Sequence, residues 1–278
     1  MKCTLCDKDY QIHSDTSYLK LPTFRCNNCD LIVTGNNELE IKSQTEKIYK
    51  QKHWGDGNLW DAERSIDSNY TDEESLGKKR SWISQYKYCN PYLKNKKTIF
   101  EIGSGQGQAS WWFEQEGFIV TGIEPDSKNV ELINLKLKKG KCIVGSGEDF
   151  EINEKFDVIW MSHVLEHLVN PDYFFSKIKN NMKNDGIFFI EVPNCENTSV
   201  LKTSIELVPH TFHFSKKSLE KLAKKNLFQV IKSDYFRPAS RLEGIKQKTL
   251  KKYPYYPRIK CKNSDGLYLR MILRLSEK

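Results

Sequence analysis

The stretch Thr98-Ile-Phe-Glu-Ile-Gly-Ser-Gly-Gln-Gly107 constrains this chain more than any other: a short apolar run broken by one acid, then glycines at 103, 105 and 107. It predicts a buried strand opening into a loop whose backbone passes close to a ligand, because glycine alone combines easy positive φ with no Cβ. About twenty residues on, Phe118-Ile-Val-Thr-Gly-Ile-Glu124 reads as a second apolar strand ending in a carboxylate suited to ribose hydroxyls. A glycine triplet alone says little. The acid-tipped strand at the right interval says much more.

The spacing is Gly-x-Gly-x-Gly, and Gln108 stands where the dinucleotide pattern would place its third glycine, so a pyrophosphate on the helix N-terminus is not the natural reading. Two further segments follow in order: Gly147-Glu-Asp149, and Phe156-Asp-Val-Ile-Trp-Met-Ser-His-Val-Leu-Glu-His-Leu168. Together with Glu101 to Gly107 and Gly122-Ile-Glu-Pro-Asp126, this series resembles the class I S-adenosylmethionine-dependent methyltransferases. Within them it is similar to the branch of ubiquinone-biosynthesis O-methyltransferases and many small-molecule and sugar methyltransferases. The resemblance runs over roughly residues 80 to 235.

Apolar segments at about 98–102, 118–123, 141–144, 156–161, 186–192, 228–235 and 267–274 read as strands, with helical stretches at 108–116, 127–139, 172–183 and 215–226 between them. Alternation of this kind predicts an α/β protein with a parallel sheet covered on both sides. The resemblance sharpens this to a Rossmann-like, seven-stranded, mostly parallel sheet whose last strand enters antiparallel.

Chain length permits one large domain, or one medium domain with a small appendage. The expected division is a zinc-ribbon-like module over 1–35, a linker or lid over 36–79 and a methyltransferase domain over 80–278. No apolar run approaches the roughly eighteen residues of a membrane span, and Met1-Lys-Cys-Thr-Leu-Cys-Asp-Lys is no signal peptide, so no membrane insertion and a cytoplasmic location are expected. The net charge of +8 permits attraction to phosphates without demanding it. Its densest tract, Lys246 to Lys262, interleaves basic residues with Tyr253, Tyr255 and Tyr256. A solvated insertion between two strands is the reading preferred over a nucleic-acid grip.

Cys3-x2-Cys6, nineteen intervening residues and Cys26-x2-Cys29 match the two-knuckle spacing of a structural zinc ribbon. The segment is too short for its own core, so bound metal would supply folding free energy. Cys89, Cys142, Cys195 and Cys261 are scattered singly and read as packing residues of a reduced protein. Between the module and the first core strand, the aromatic, glycine-broken stretch Tyr49 to Tyr70 is expected to serve as a lid or as a linker packed on the core.

The resemblance assigns S-adenosyl-L-methionine to the carboxyl ends of the strands. Gly103, Ser104, Gly105 and Gly107 would line its methionine moiety, with Glu101 supporting the loop or the amino group. Glu124, followed by Pro125, would take both ribose hydroxyls; Asp149 or Glu148 would meet the adenine amino group, and Ser162 closes the fourth strand beside it. His163, Glu166 and His167 stand at i, i+3 and i+4, which on a helix places them on one face beside the methyl group. Methyl transfer to a hydroxyl requires alignment and removal of one proton, a task for a near-neutral histidine. His210 and His213 are candidates to orient the acceptor or complete a metal site. In the ubiquinone-type enzymes the corresponding motif is Glu-x-x-Glu-His and is associated with a divalent metal; here His163 replaces the first Glu, which disfavours magnesium and leaves a softer ion or a plain histidine base.

The expected function is therefore O-methylation of a small hydroxylated acceptor such as a sugar, glycan precursor or natural-product-like metabolite. RNA methylation is the catalytic alternative, weakened because Ser162-His-Val-Leu165 replaces the Asn-Pro-Pro-Tyr type of motif. A non-catalytic module docking a partner through the ribbon is the third reading, and the intact glycine loop and Glu124 argue against it.

Overall fold

The computed structural model of the chain describes residues 1–52, 76–249 and 258–277. Most of the anticipated lid and of the aromatic part of the basic tract lie outside the described residues.

The N-terminal module is a meander of β1 (Gln11–Ser14), β2 (Thr23–Arg25) and β3 (Ile32–Thr34), followed by α1 (Glu38–Lys52). The helix α2 (Leu76–Cys89) leads into β4 (Thr98–Ile102), α3 (Gln108–Gln115), β5 (Ile119–Glu124), α4 (Ser127–Lys136) and β6 (Lys141–Val144). Then come β7 (Phe156–Ser162), α5 (Pro171–Ile178), β8 (Met182–Pro193), α6 (Thr198–Glu206), the two-residue β9 (Phe212–His213) and α7 (Lys216–Lys225). The chain closes with β10 (Phe228–Pro238), α8 (Arg241–Thr249), β11 (Arg258–Cys261) and β12 (Tyr268–Leu275).

The helices begin where side chains can satisfy orphan amides. Asp126 caps α4 through Lys128 N and Asn129 N, and Ser215 caps α7 in a reciprocal pair with Ser218. Leu219, Leu222 and Ala223 share the buried face of α7 at helical spacing.

The main sheet runs β11-β10-β12-β8-β7-β4-β5-β6. The pairings among β8, β7, β4, β5 and β6 are parallel, while β12 enters antiparallel between β8 and β10. All seven expected strands are present in this α/β, Rossmann-like sheet. An eighth, β11, adds an antiparallel edge and comes from the tract expected to be a solvated insertion. Central strands read as continuous apolar runs because both faces are covered: Phe100, Ile102, Met161, Phe188 and Ile190 pack on one side, Ile99, Val158, Trp160, Ile187 and Phe189 on the other.

The second sheet, β1-β2-β3-β9, joins the two parts of the chain, since its last strand belongs to the segment after α6. Ile32 pairs with His213 and Val33 with Phe212. Cys3, Cys26, Cys29 and Leu31 accordingly share one apolar cluster with Phe212, Phe214 and Leu219.

Candidate active site

The carboxyl end of β4 opens into Gly103, at φ +73, where an added Cβ would lie 2.4 Å from Val164 Cγ2. Only glycine fits, and the contact fastens this loop to the turn that carries the histidines. Gly105, at φ +55, has nothing within 4 Å of the position a Cβ would take, so the loop borders open space. Gly103 N and Ser104 N both donate to Ile123 O, at 2.9 and 3.0 Å, which stitches the loop to β5, and Gly107 forms the left-handed N-cap of α3.

Buried Glu124 ends β5. Its Oε2 accepts from Gly105 N at 2.8 Å and its Oε1 from Asp126 N at 3.1 Å, across Pro125. These two amide bonds orient the carboxylate at the end of the strand. Burial raises the Glu101 carboxyl to about 7 against the hydrogen bond from Ser110 Oγ that favours its charge. Glu148 accepts from Asn170 N, whereas Asp149 is exposed and its amide closes a turn on Ser146 at 3.1 Å.

The 163–167 segment departs from the helical face anticipated for it. His163 adopts φ +57, outside the short 3-10 turn Leu165–His167 that follows, so a left-handed backbone and not an i, i+3, i+4 stripe gathers the cluster. His163 Nδ1 lies 3.3 Å from Glu166 Oε1, and its Nε2 lies 3.2 Å from Glu191 Oε1. A ring whose two nitrogens both face carboxylates is satisfied only as the imidazolium. Burial opposes that charge, but the hydrogen bonds and negative charges of Glu166 and Glu191 outweigh it and raise His163 to about 9.

His167 is in the opposite state. Its Nδ1 stands 3.3 Å from Pro209 O, and since a carbonyl only accepts, Nδ1 carries the proton and Nε2 is the accepting atom. Burial lowers its pKa, which keeps the ring neutral. The His210 ring meets it edge to face at 4.5 Å, and His210 Nε2 lies 3.9 Å from Glu166 Oε1. Glu166 is almost fully buried, and its Oε2 has no hydrogen-bond partner among the described residues. His213 lies one residue further back, its ring 6.4 Å from that of His210 and hydrogen-bonded to it through Ser204, which contacts Nδ1 of both His210 and His213 at 2.7 and 2.8 Å. One ligand atom each from Glu166, His167 and His210 falls within 4.8 Å of the others.

Several contributors escaped sequence reasoning. Glu191 on β8 and Arg270 on β12, both fully buried, face each other across the strands and form an ion pair. Arg258, from β11, joins the same carboxylate and stacks on Tyr268, 3.8 Å from its ring centre. Gln85 Nε2 donates to Glu191 Oε1 and to Ser162 Oγ, both at 2.8 Å. These cations hold Glu191 well below the ordinary carboxylate range despite its burial. The available signal was a lone acid and a lone base, each inside an otherwise apolar strand, since an unpaired charge there is prohibitively costly.

The four N-terminal cysteines converge as their spacing implied. Cys3 Sγ is 3.5 Å from Cys29 Sγ and Cys6 Sγ is 3.4 Å from Cys26 Sγ, and all four sulfurs lie within 4.8 Å of one another.

Residues 73–233 match the family model described as a methyltransferase domain. The ubiquinone biosynthesis O-methyltransferase of Pelagibacter ubique is 35% identical over 106 residues, which are 37% of this chain and 44% of that protein. The aligned stretch thus spans less than half the length of such curated relatives. Among solved structures, an S-adenosylmethionine-dependent methyltransferase from Clostridium acetobutylicum superposes with a TM-score of 0.56 at 10% identity, covering 79% of this chain and all of that one. The 1,6-didemethyltoxoflavin-N1-methyltransferase of Burkholderia thailandensis gives 0.54 at 12% identity over 97% of this chain and 100% of that one. At such identities the likeness is one of fold.

Proposed function

The chain belongs to the methyltransferase-domain family, within the class I S-adenosylmethionine-dependent methyltransferases, and from that premise we propose that it methylates a hydroxyl of a small acceptor. Hydroxylated metabolites, sugars and natural-product-like molecules are the acceptor classes this reading admits. The observation that carries it is the contact of Gly103 with Val164, which sets the open glycine loop directly against the turn bearing Glu166 and His167.

The donor side fits the nucleoside. Open space at Gly105 gives room for its backbone-lined part, and Glu124, oriented by the Gly105 and Asp126 amides, puts a carboxylate at the end of β5 where the ribose hydroxyls would meet it. When bound, S-adenosylmethionine supplies an electrophilic methyl group on a sulfonium. This chain's own task is to hold an acceptor oxygen in line with that methyl and remove its proton. His167 suits the second part: its Nε2 is held as the accepting atom by the bond from Nδ1–H to Pro209 O. The proton of the acceptor oxygen passes to His167 Nε2, and the positive charge gained there is stabilised by neighbouring Glu166. His163 serves differently. As an imidazolium between Glu166 and Glu191 it offsets their buried charge and fixes Glu166, and it is unsuited to be a base.

Magnesium prefers oxygen ligands, and of Glu166, His167 and His210 only the first provides one. The paired carboxylates moreover already hold a protein cation between them in His163. These residues do not fit that ion, and the mechanism takes no step through a metal.

The N-terminal sulfurs do fit zinc. Tetrahedral ligands about 2.3 Å from the ion stand about 3.8 Å apart, close to the 3.4 and 3.5 Å separations here. Four thiolates close the coordination sphere, which makes the ion structural. Calorimetry with S-adenosylhomocysteine tests the central reading: micromolar binding is expected, and absence of binding to the intact protein refutes it.

A further inference from the structure

We infer that Thr34, on the N-terminal module, is a positioning residue for the acceptor site: through His213 and Ser204 it fixes His210 in the tautomer that carries its proton on Nε2, facing Glu166. The inference rests on the proposed acceptor-side role of Glu166 and His167; the hydrogen-bond order it invokes is testable without that role.

Four buried side chains form one row. Thr34 Oγ1 is 2.9 Å from His213 Nε2, His213 Nδ1 is 2.8 Å from Ser204 Oγ, and Ser204 Oγ is 2.7 Å from His210 Nδ1. His210 is the most exposed of them at 8%, and its Nε2 ends the row 3.9 Å from Glu166 Oε1. Burial keeps both rings neutral, pushing His213 down to about 3 and His210 well down too. Each ring therefore has one donor and one acceptor nitrogen, and each hydroxyl has one proton to give.

Only two orders are possible along such a row. In one, Thr34 donates to His213 Nε2, His213 Nδ1–H to Ser204, Ser204 to His210 Nδ1, and His210 Nε2–H points at the Glu166 carboxylate. Both hydroxyl protons and the His213 proton then have acceptors, and the His210 Nε2–H is drawn toward the Glu166 carboxylate across 3.9 Å, an electrostatic attraction longer than a hydrogen bond. In the reverse order the Thr34 hydroxyl proton has no other partner among the described residues, and a lone pair on His210 faces a carboxylate. A buried unmade donor costs about 1–3 kcal/mol, so the first order prevails.

Backbone bonds keep the row in place. Thr34 N donates to Thr211 O at 2.8 Å, Thr211 N donates to Glu166 O at 2.8 Å, and β3 begins just after Cys29 in the second cysteine pair. The thiolate module thus reaches the acceptor wall by two hydrogen-bond paths. His210 and His167, ring against ring, would offer an acceptor oxygen one donor and one base, and His210 is then neither a base nor a ligand for a cation.

Nuclear magnetic resonance on histidine-labelled protein, using long-range proton–nitrogen correlations, tests this directly; there are six histidines to assign, and His210→Gln identifies the one that matters. His210 is expected as Nε2–H and His213 as Nδ1–H. In Ser204→Ala the Nδ1–H form of His210 should rise about fivefold, the effect of losing one hydrogen bond. Thr34→Val should move it in the same direction, and Thr34→Ser should match the wild type. Binding of S-adenosylhomocysteine should be unchanged in all three variants, which separates this proposal from the donor-site reading. His210 protonated on Nδ1 in the wild type, or tautomer populations indifferent to both Ser204→Ala and Thr34→Val, would overturn it.

Discussion

Replacing Arg270 by methionine should be among the most damaging single changes in this fold. Arg270 and Glu191 are both 0% exposed, paired across β12 and β8, and the guanidinium also donates to Ser84 O at 3.0 Å. Arg270→Met leaves Glu191 charged in an apolar interior, a change that typically costs about 3–5 kcal/mol. Arg258, His163 and Gln85 still reach that carboxylate, which places the expected loss near the lower figure, about 3 kcal/mol. For a chain of this size that corresponds to a fall in Tm of roughly 6–12 °C. Thermal melts followed by circular dichroism, with urea titration as a second probe, give the number. The double variant Glu191→Leu, Arg270→Met should regain at least half of it, because an apolar pair needs no desolvation of charge. It should also release His163 from its imidazolium state by removing the partner of Nε2. A single variant within about 1 kcal/mol of wild type, or a double variant no more stable than the single, would refute the reasoning.

Glu124→Ala should abolish measurable donor binding while the fold persists, since the carboxylate stands at the end of β5, where it accepts from the Gly105 and Asp126 amides, and not in the packed core; calorimetry beside circular dichroism checks both halves. His167→Ala should keep donor affinity and slow single-turnover methylation by about a hundredfold or more once an acceptor is in hand; normal turnover would return it to a packing role. The pH dependence follows from His163, whose pKa rises from 6.5 to about 9 on folding. The stability it contributes is fully present below about 6.5 and is lost as pH climbs through about 9, so Tm should decline over that window, and His163→Asn should flatten the decline. Elemental analysis of protein purified without added metal should return about one zinc per chain, and strong chelation should lower Tm by several degrees; a metal content near zero removes the ribbon.

The donor side of the site was legible because its logic is local. Positive φ at Gly103 and Gly105, the apolar runs of β4 and β5 and the acid closing β5 all act within about twenty-five residues of one another, and each follows from backbone sterics or strand burial. The cysteine pairs were legible for the same reason. What the linear order withheld is long-range pairing. Glu191 meets Arg270 from 79 residues away, and Thr34 meets His213 from 179, through strand registers that no local pattern encodes. The same limit explains the histidines: as residue types His163 and His167 both qualify as the base and His210 as an orienting group or metal ligand, and nothing in the sequence separates their charge states. Tertiary contacts with two carboxylates, with a carbonyl oxygen and with a serine give the three rings different protons, because a ring takes its state from whatever faces its nitrogens.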